Sequence, residues 1–357
     1  MAGITGLVLA MAIILPCSAN SHKSARTAVK PPAPLLYAQR NDAMQLAQEI
    51  AKRNQLDPHW VQQTIGQAQM LPAVAKAVLP PPRTAPKNWT AYRARFIEPR
   101  RIRSGVTFYQ QHRTTLERAE QQTGVPVAII LGVLGVETLY GQHMGAYRVL
   151  DALSTLAFDF PTAHPRAAQR TAFFKSELEA FLLLAHQSGR DPLSVRGSYA
   201  GAMGFPQFMP SSWRRYAVDF DGDSHIDLFQ SPADAIGSIA NYLKQFRWQA
   251  GQATHYAVQL APNAEIETLL KPDIVPSFSV AHFQSLGAVL NASGQQHHGP
   301  LALIELKNGY ASPSFVAGTE NFYVITRYNW SSYYAMAVIE LGDEVTKAYK
   351  AQSIMAK

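Results

Sequence analysis

The sequence predicts a mainly α-helical protein of the α+β class, in which one small β-containing insert interrupts a helical body. Three observations carry this expectation. Apolar residues recur at helical spacing along most of the chain, an unbroken apolar run from Val125 to Val136 marks a helix buried on every side, and short alternating stretches are confined to one region. With 357 residues, 47% of them hydrophobic, the chain has enough apolar surface for two or three lobes.

The segments are expected in chain order. Residues 1–19 read as a signal peptide: Gly3 to Leu15 is apolar but short for a membrane span, and Cys17-Ser18-Ala19 offers small residues for cleavage. Cys17, the only cysteine, leaves a lipidated N-terminus open as the alternative and excludes any disulfide within the chain. Residues 20–39, with Lys30-Pro31-Pro32-Ala33-Pro34, read as a flexible linker. An N-terminal helical lobe follows over 40–123. Leu46, Ala47, Ile50 and Ala51 share one face, Asp57-Pro58 caps the next helix ahead of Val61 and Ile65, and a break at Leu79-Pro80-Pro81-Pro82 precedes a long helix near Arg101 to Gln122.

A helical core is expected over 124–249. It contains the buried helix that starts near Pro126, a second helix through Phe173, Phe174, Leu178 and Phe181, and a glycine-rich loop from Gly197 to Gly204. The β-containing insert spans 250–317, with strands near Tyr256 to Leu260, Ala302 to Leu306 and Ser314 to Val316. Residues 318–357 return to the helical body through Tyr334, Ala337, Val338 and Leu341. The pair His297-His298 reads as surface.

A net charge of +7 suits an anionic partner. Clustered Lys/Arg interleaved with aromatics is missing, as are zinc-finger and RNA-binding signatures, so nucleic acid is not expected. Gly197-Ser198-Tyr199-Ala200-Gly201 sets its serine one position too early for a hydrolase nucleophile elbow.

Glu137 is the carboxylate with chemistry in its surroundings. It closes the apolar helix, with Gly141 as a plausible C-terminal cap. Desolvation and the negative helix end both disfavour its anion, and no Lys or Arg is near in sequence to compensate. A carboxyl kept protonated near neutrality is what a general acid for glycosidic cleavage needs, although helix-end carboxylates also serve as caps and ion-pair partners. Asp219, Asp221, Asp223 and His225 occupy the first, third, fifth and seventh positions of an EF-hand-like loop, the seventh acting through its backbone carbonyl, which suits Ca2+. Ser224 stands at the sixth position instead of glycine and Gln230 at the twelfth instead of glutamate; a solvated acidic turn is the alternative.

Five stretches carry a family resemblance: Trp89 to Arg93, Gly135 to Gly141, Asp151 to Asp159, Gly197 to Ser212 and Asn321 to Asn329. In this order they resemble the lytic murein transglycosylase B family, and the likeness runs from about residue 40 to residue 341. The resemblance implies a lysozyme-like catalytic core over 124–249. It also implies cleavage of the β-1,4 bond between N-acetylmuramic acid and N-acetylglucosamine in peptidoglycan without water, giving 1,6-anhydro ends. Glu137 would be the single catalytic acid/base, with Tyr92, Ser198, Gln207, Phe208, Tyr242, Tyr328, Asn329 and Tyr334 binding substrate and Asp234 closing the calcium loop. Ser231-Pro232-Ala233-Asp234 is also a capping pattern.

The implied setting is the periplasm of a Gram-negative bacterium, or the outer membrane if Cys17 is lipidated. Implied partners are peptidoglycan glycan strands and cell-wall synthesis complexes, with the chain itself a monomer and no organic cofactor. A non-catalytic peptidoglycan-binding scaffold and a hydrolytic lysozyme using Asp151 or Asp159 remain alternatives. The chain departs from the family at Phe160-Pro161-Thr162-Ala163-His164-Pro165-Arg166-Ala167, where paired arginines are usual, so contacts to the peptide stem are not carried over.

Overall fold

The computed structural model describes residues 36–80 and 86–355. The expected signal peptide, Cys17, most of the linker and the proline pair Pro81-Pro82 lie outside them. The described chain is mainly helical and packs as two units, each built from two separated stretches.

The first unit joins residues 36–79 to Tyr147–Val195. Its helices are Asn41–Asn54, Pro58–Gly66, Pro72–Ala77, Val149–Phe158 and Ala167–Ser188. Asp57 caps the second as expected, its carboxylate accepting from the His59 N–H at 3.0 Å. The expected linker ends early. Tyr37 is buried in a short 3-10 helix, and its hydroxyl donates to Asp159 at 2.6 Å. Asp159 also pairs with Arg40, while Asp151 accepts from Arg148 and from the Gln69 backbone N–H at 2.8 Å. These bonds, with Leu71 N–H donating to Thr155, tie residues 36–79 to the Val149–Phe158 helix. The segments read in chain order as 40–123 and 124–249 therefore interleave.

The second unit comprises residues 86–146 and 196–355. Its long helix Pro99–Thr123 starts with proline at the first turn and kinks at His112, where φ/ψ is −117°/21°. Apolar on all faces, the Val127–Thr138 helix buries every residue except Ala128 and Glu137. Its partner is the Ser332–Met355 helix. Glycines let the two backbones approach: a Cβ at Gly132 would come within 2.0 Å of the Val338 carbonyl oxygen, and one at Gly342 within 1.9 Å of that of Ala128. This close crossing sets where the first turn of the Ser332–Met355 helix meets the last turn of Val127–Thr138.

The insert forms a four-stranded antiparallel sheet in the order Ala288–Leu290, His255–Leu260, Ala311–Gly318, Ala302–Asn308. Tyr256 pairs with Ala317, and Ile304 with Val316. Leu269, Phe283, Leu301 and Ala317 give it a small core. The Ala288–Leu290 strand and three helices of four to six residues were too short to show a period in the sequence. Of the pair expected on the surface, His298 is exposed, whereas His297 is half-buried with its imidazole covered, Nδ1 3.3 Å from the Tyr256 hydroxyl and Nε2 3.7 Å from Glu320.

Candidate active site

Glu137 sits in the last turn of the Val127–Thr138 helix. Leu139 rather than Gly141 takes the left-handed C-cap, and φ stays positive through Leu139, Tyr140 and Gly141 at 51°, 58° and 86°. Two left-handed non-glycine residues in succession are strained, and the surroundings hold them. Thr138 Oγ1 donates to the Phe205 carbonyl and accepts from the Gly141 N–H, each at 3.0 Å. Glycine is required at 141, because a Cβ there would lie 2.1 Å from the Phe205 ring. This helix end is thus locked to the glycine-rich loop.

The Glu137 side chain keeps some solvent access but is otherwise densely surrounded. Burial pushes its carboxyl up to about 7, and a hydrogen bond from Tyr334, whose hydroxyl donates to Oε1 at 2.6 Å, pulls partly the other way. No neighbouring charge contributes to the shift. Sequence reading missed one cation. Arg101, 36 positions earlier and buried, donates to the Gly135 carbonyl, supplying the helix C-terminus with a positive partner that no local pattern could disclose.

Around Glu137 the second unit assembles an aromatic wall. Tyr334 stacks on Tyr328, ring centroids 6.3 Å apart and 15° from parallel. Tyr328 meets Tyr242 at 4.8 Å, and Phe208 backs both at 5.8 and 5.5 Å. Phe208 is only 2% exposed, which makes it a support for the wall. Tyr242 donates to the Arg327 carbonyl at 2.6 Å and Tyr328 to that of Pro206. Tyr92 is held by Trp89, Phe96 and Tyr333, and its hydroxyl is pushed up by burial and then by the charge of Glu137. Asn329, half-buried, follows Tyr328. Ser198 Oγ accepts from the Ala200 and Ala202 N–H groups at 3.3 and 3.0 Å and so shapes the loop. Gln207, at φ 50°, donates to the carbonyls of Met144 and Gly204, while its buried Oε1 has no partner among the described residues.

Residues 38–343 match the transglycosylase SLT domain family. The chain belongs to that family. It is 38% identical over 322 residues to the membrane-bound lytic murein transglycosylase B of Escherichia coli K12, covering 87% of this chain and 84% of that protein. Catenated lytic transglycosylase SltB1 from Pseudomonas aeruginosa superposes with a TM-score of 0.80 at 38% identity, over 88% of this chain and 99% of that one. Escherichia coli lytic transglycosylase Slt35, solved in complex with calcium, gives 0.76 at 36% identity, over 90% and 99%. These likenesses bear out the mainly helical, lysozyme-like fold and the transglycosylase family read from the sequence.

In this family member the acidic loop brings Asp219, Asp221 and Asp223 together, with one oxygen of each within 4.8 Å of the others. Asp219 organises the turn, accepting from the N–H groups of Gly222 and Ser224 at 2.7 and 2.8 Å; those bonds, Gly222 first, hold its carboxyl below the usual range. Ser224 adopts φ 71°, the left-handed conformation that the sixth position of such a loop demands and glycine usually supplies. The His225 side chain is exposed, and its N–H donates to Asp223. Asp234 lies outside the three-carboxylate group. It is buried, its two oxygens accept from the N–H groups of Phe220 and Asp227, and its own N–H donates to the Ser231 hydroxyl, so the capping pattern is realised. Three clustered carboxylates are a hard-oxygen donor set that suits calcium.

The raised Glu137 carboxyl links stability to pH. Because the fold favours the protonated form, the stabilisation is complete below about 4.5 and is lost as pH rises through about 7. Glu137→Gln is therefore expected to gain on the parent protein by about 3 kcal/mol between roughly pH 5 and pH 8. Denaturant melts across that range check this, and a pH-independent difference would contradict it.

Proposed function

We propose that this chain is a peptidoglycan lytic transglycosylase, a carbon–oxygen lyase that cleaves the β-1,4 bond between N-acetylmuramic acid and N-acetylglucosamine. The observation that carries the reading is one carboxyl near pKa 7, tuned by burial without a charged neighbour. Tyr334 occupies Oε1, which leaves Oε2 to carry the proton. Glu137 donates that proton to the bridging oxygen, and the C1–O bond breaks with its electron pair leaving on the N-acetylglucosamine oxygen. The substrate's own acetamido group steadies the cation at C1. Glu137, now a carboxylate, takes the proton of the O6 hydroxyl as O6 bonds to C1 and closes the 1,6-anhydro ring.

Gln207 Oε1 offers an acceptor for an amide N–H of the sugar. Half-buried Tyr92, Tyr328 and Asn329 offer surface to sugar rings, while Tyr242, Tyr334 and Phe208, almost fully buried, back them from behind. Ser198 shapes the loop opposite. Asp151 and Asp159 are engaged by arginines, which argues against their use as a second carboxylate. The membrane-bound Escherichia coli relative supports an envelope setting, with the periplasm as our reading. Digestion of purified peptidoglycan is expected to release muropeptides ending in 1,6-anhydro-N-acetylmuramic acid, and Glu137→Gln to lose roughly 10²-fold or more in turnover. Free reducing ends throughout would indicate a hydrolase instead.

The same reading includes one structural calcium ion held by Asp219, Asp221, Asp223 and the His225 carbonyl, with Asp234 bracing the loop from beneath. The ion would relieve the repulsion of the three carboxylates and take no part in the chemistry. Calcium at a hundred times its dissociation constant should stabilise the fold by roughly 2.7 kcal/mol. Thermal melts in calcium and in chelator are expected to differ for the parent and to coincide for Asp219→Ala. Coincident parent curves after verified metal removal would make the loop an acidic turn.

A further inference from the structure

One buried cation takes no step in the reaction. Arg101, 7% exposed in the first turn of the Pro99–Thr123 helix, donates through Nη1 to the Gly135 carbonyl. That oxygen is satisfied without it, since it also accepts the Leu139 N–H at 3.2 Å. Arg101 Nε has no hydrogen-bond partner among the described residues, and burial pulls the guanidinium below its ordinary range. Glu98, the acid whose charge acts on it, uses its oxygens to cap the backbone N–H groups of Arg100 and Arg101 at 2.7 and 2.6 Å. A charge held this way is a burden on the fold that an apolar side chain of similar length would remove.

What the guanidinium touches gives it another role. It lies over the Phe96 ring, 5.3 Å from the centroid, and Phe96 meets the ring of Tyr92 at 5.2 Å. The carbonyl that it holds belongs to the residue where the end of the Val127–Thr138 helix is most tightly enclosed. A Cβ at Gly135 would lie 2.6 Å from the Tyr140 hydroxyl and 2.6 Å from Leu341 Cδ2, on the helix that carries Tyr334. Glu137 is two residues further on, and its charge acts on the Tyr92 hydroxyl.

Resting on the transglycosylase reading, we propose that Arg101 is a positioning residue, which fixes the Glu137 carboxyl relative to Tyr92 through the Gly135 carbonyl on one side and the Phe96 ring on the other. Its influence runs through the backbone and the ring, because no neighbouring charge acts on the Glu137 carboxyl. The burden of a buried cation is then retained for geometry and not for stability.

The test uses the full chain and a soluble N-acetylglucosamine–N-acetylmuramic acid oligosaccharide, with cleavage counted as bonds broken whichever end group results. Parent, Arg101→Met and Arg101→Lys are compared in kcat, KM and melting temperature. Methionine is expected to melt at or above the parent temperature while kcat falls at least about tenfold and KM changes little, since a 1 Å misplacement of a reacting group costs up to about 10²-fold. Lysine still offers a donor to the Gly135 carbonyl and is expected to restore most of the lost kcat. An unchanged kcat with methionine, a change confined to KM, or a lysine variant as slow as the methionine one would overturn the proposal. So would a methionine variant that fails to fold, which would make Arg101 a structural residue. The end group of the parent's products decides the transglycosylase reading separately, and a parent that cleaves nothing overturns both.

Discussion

The arrangement of the site depends on the burial of one carboxyl at the end of a helix that is apolar on every side. The Val127–Thr138 helix provides no polar face to share the load, so the cost of ionising Glu137 is set by the protein around it. The glycine-mediated crossing with the Ser332–Met355 helix makes that burial specific. Gly132 and Gly342 bring the two backbones together, and the approach delivers Tyr334 to Oε1 of Glu137. A bulkier crossing would move the tyrosine away and admit water to the carboxyl.

The helix end is held from three directions. Arg101 donates to the Gly135 carbonyl from the long helix, Thr138 bonds the Phe205 carbonyl of the glycine-rich loop, and Gly141 admits the Phe205 ring. The loop that carries Ser198 and Gln207 is thereby fixed to the residue that carries the acid. Strain at Leu139 and Tyr140 is the consequence of turning the chain sharply right after Glu137. The single-residue mechanism we propose needs such fixity, since the same carboxyl would face first the bridging oxygen and then O6.

Much of this was legible in the sequence for identifiable reasons. The apolar run ending at Glu137, the Asp57-Pro58 cap and the long helices all announce themselves through local spacing, and the structure reproduces them with shifts of a few residues at their ends. The alternating acids correctly gave the clustered carboxylates of the 219–223 loop. What stayed hidden is nonlocal. Arg101 acts on a carbonyl 34 residues away, the unpartnered Gln207 Oε1 depends on the fold of its loop, and the interleaving of residues 36–79 with the Val149–Phe158 helix rests on bonds to Asp151 and Asp159. His297 looked exposed among glycine and glutamine, yet Tyr256 and Glu320 lie against it.

The central claim is that burial, and not a neighbouring charge, sets the acidity of Glu137. Side-chain ¹³C NMR of glutamate-labelled protein, titrated in the parent and in Tyr334→Phe, measures it directly. The account predicts a Glu137 midpoint at about 7 in the parent and a higher one in the variant, because the tyrosine bond favours the anion. A parent midpoint near the ordinary 4.5 would contradict it.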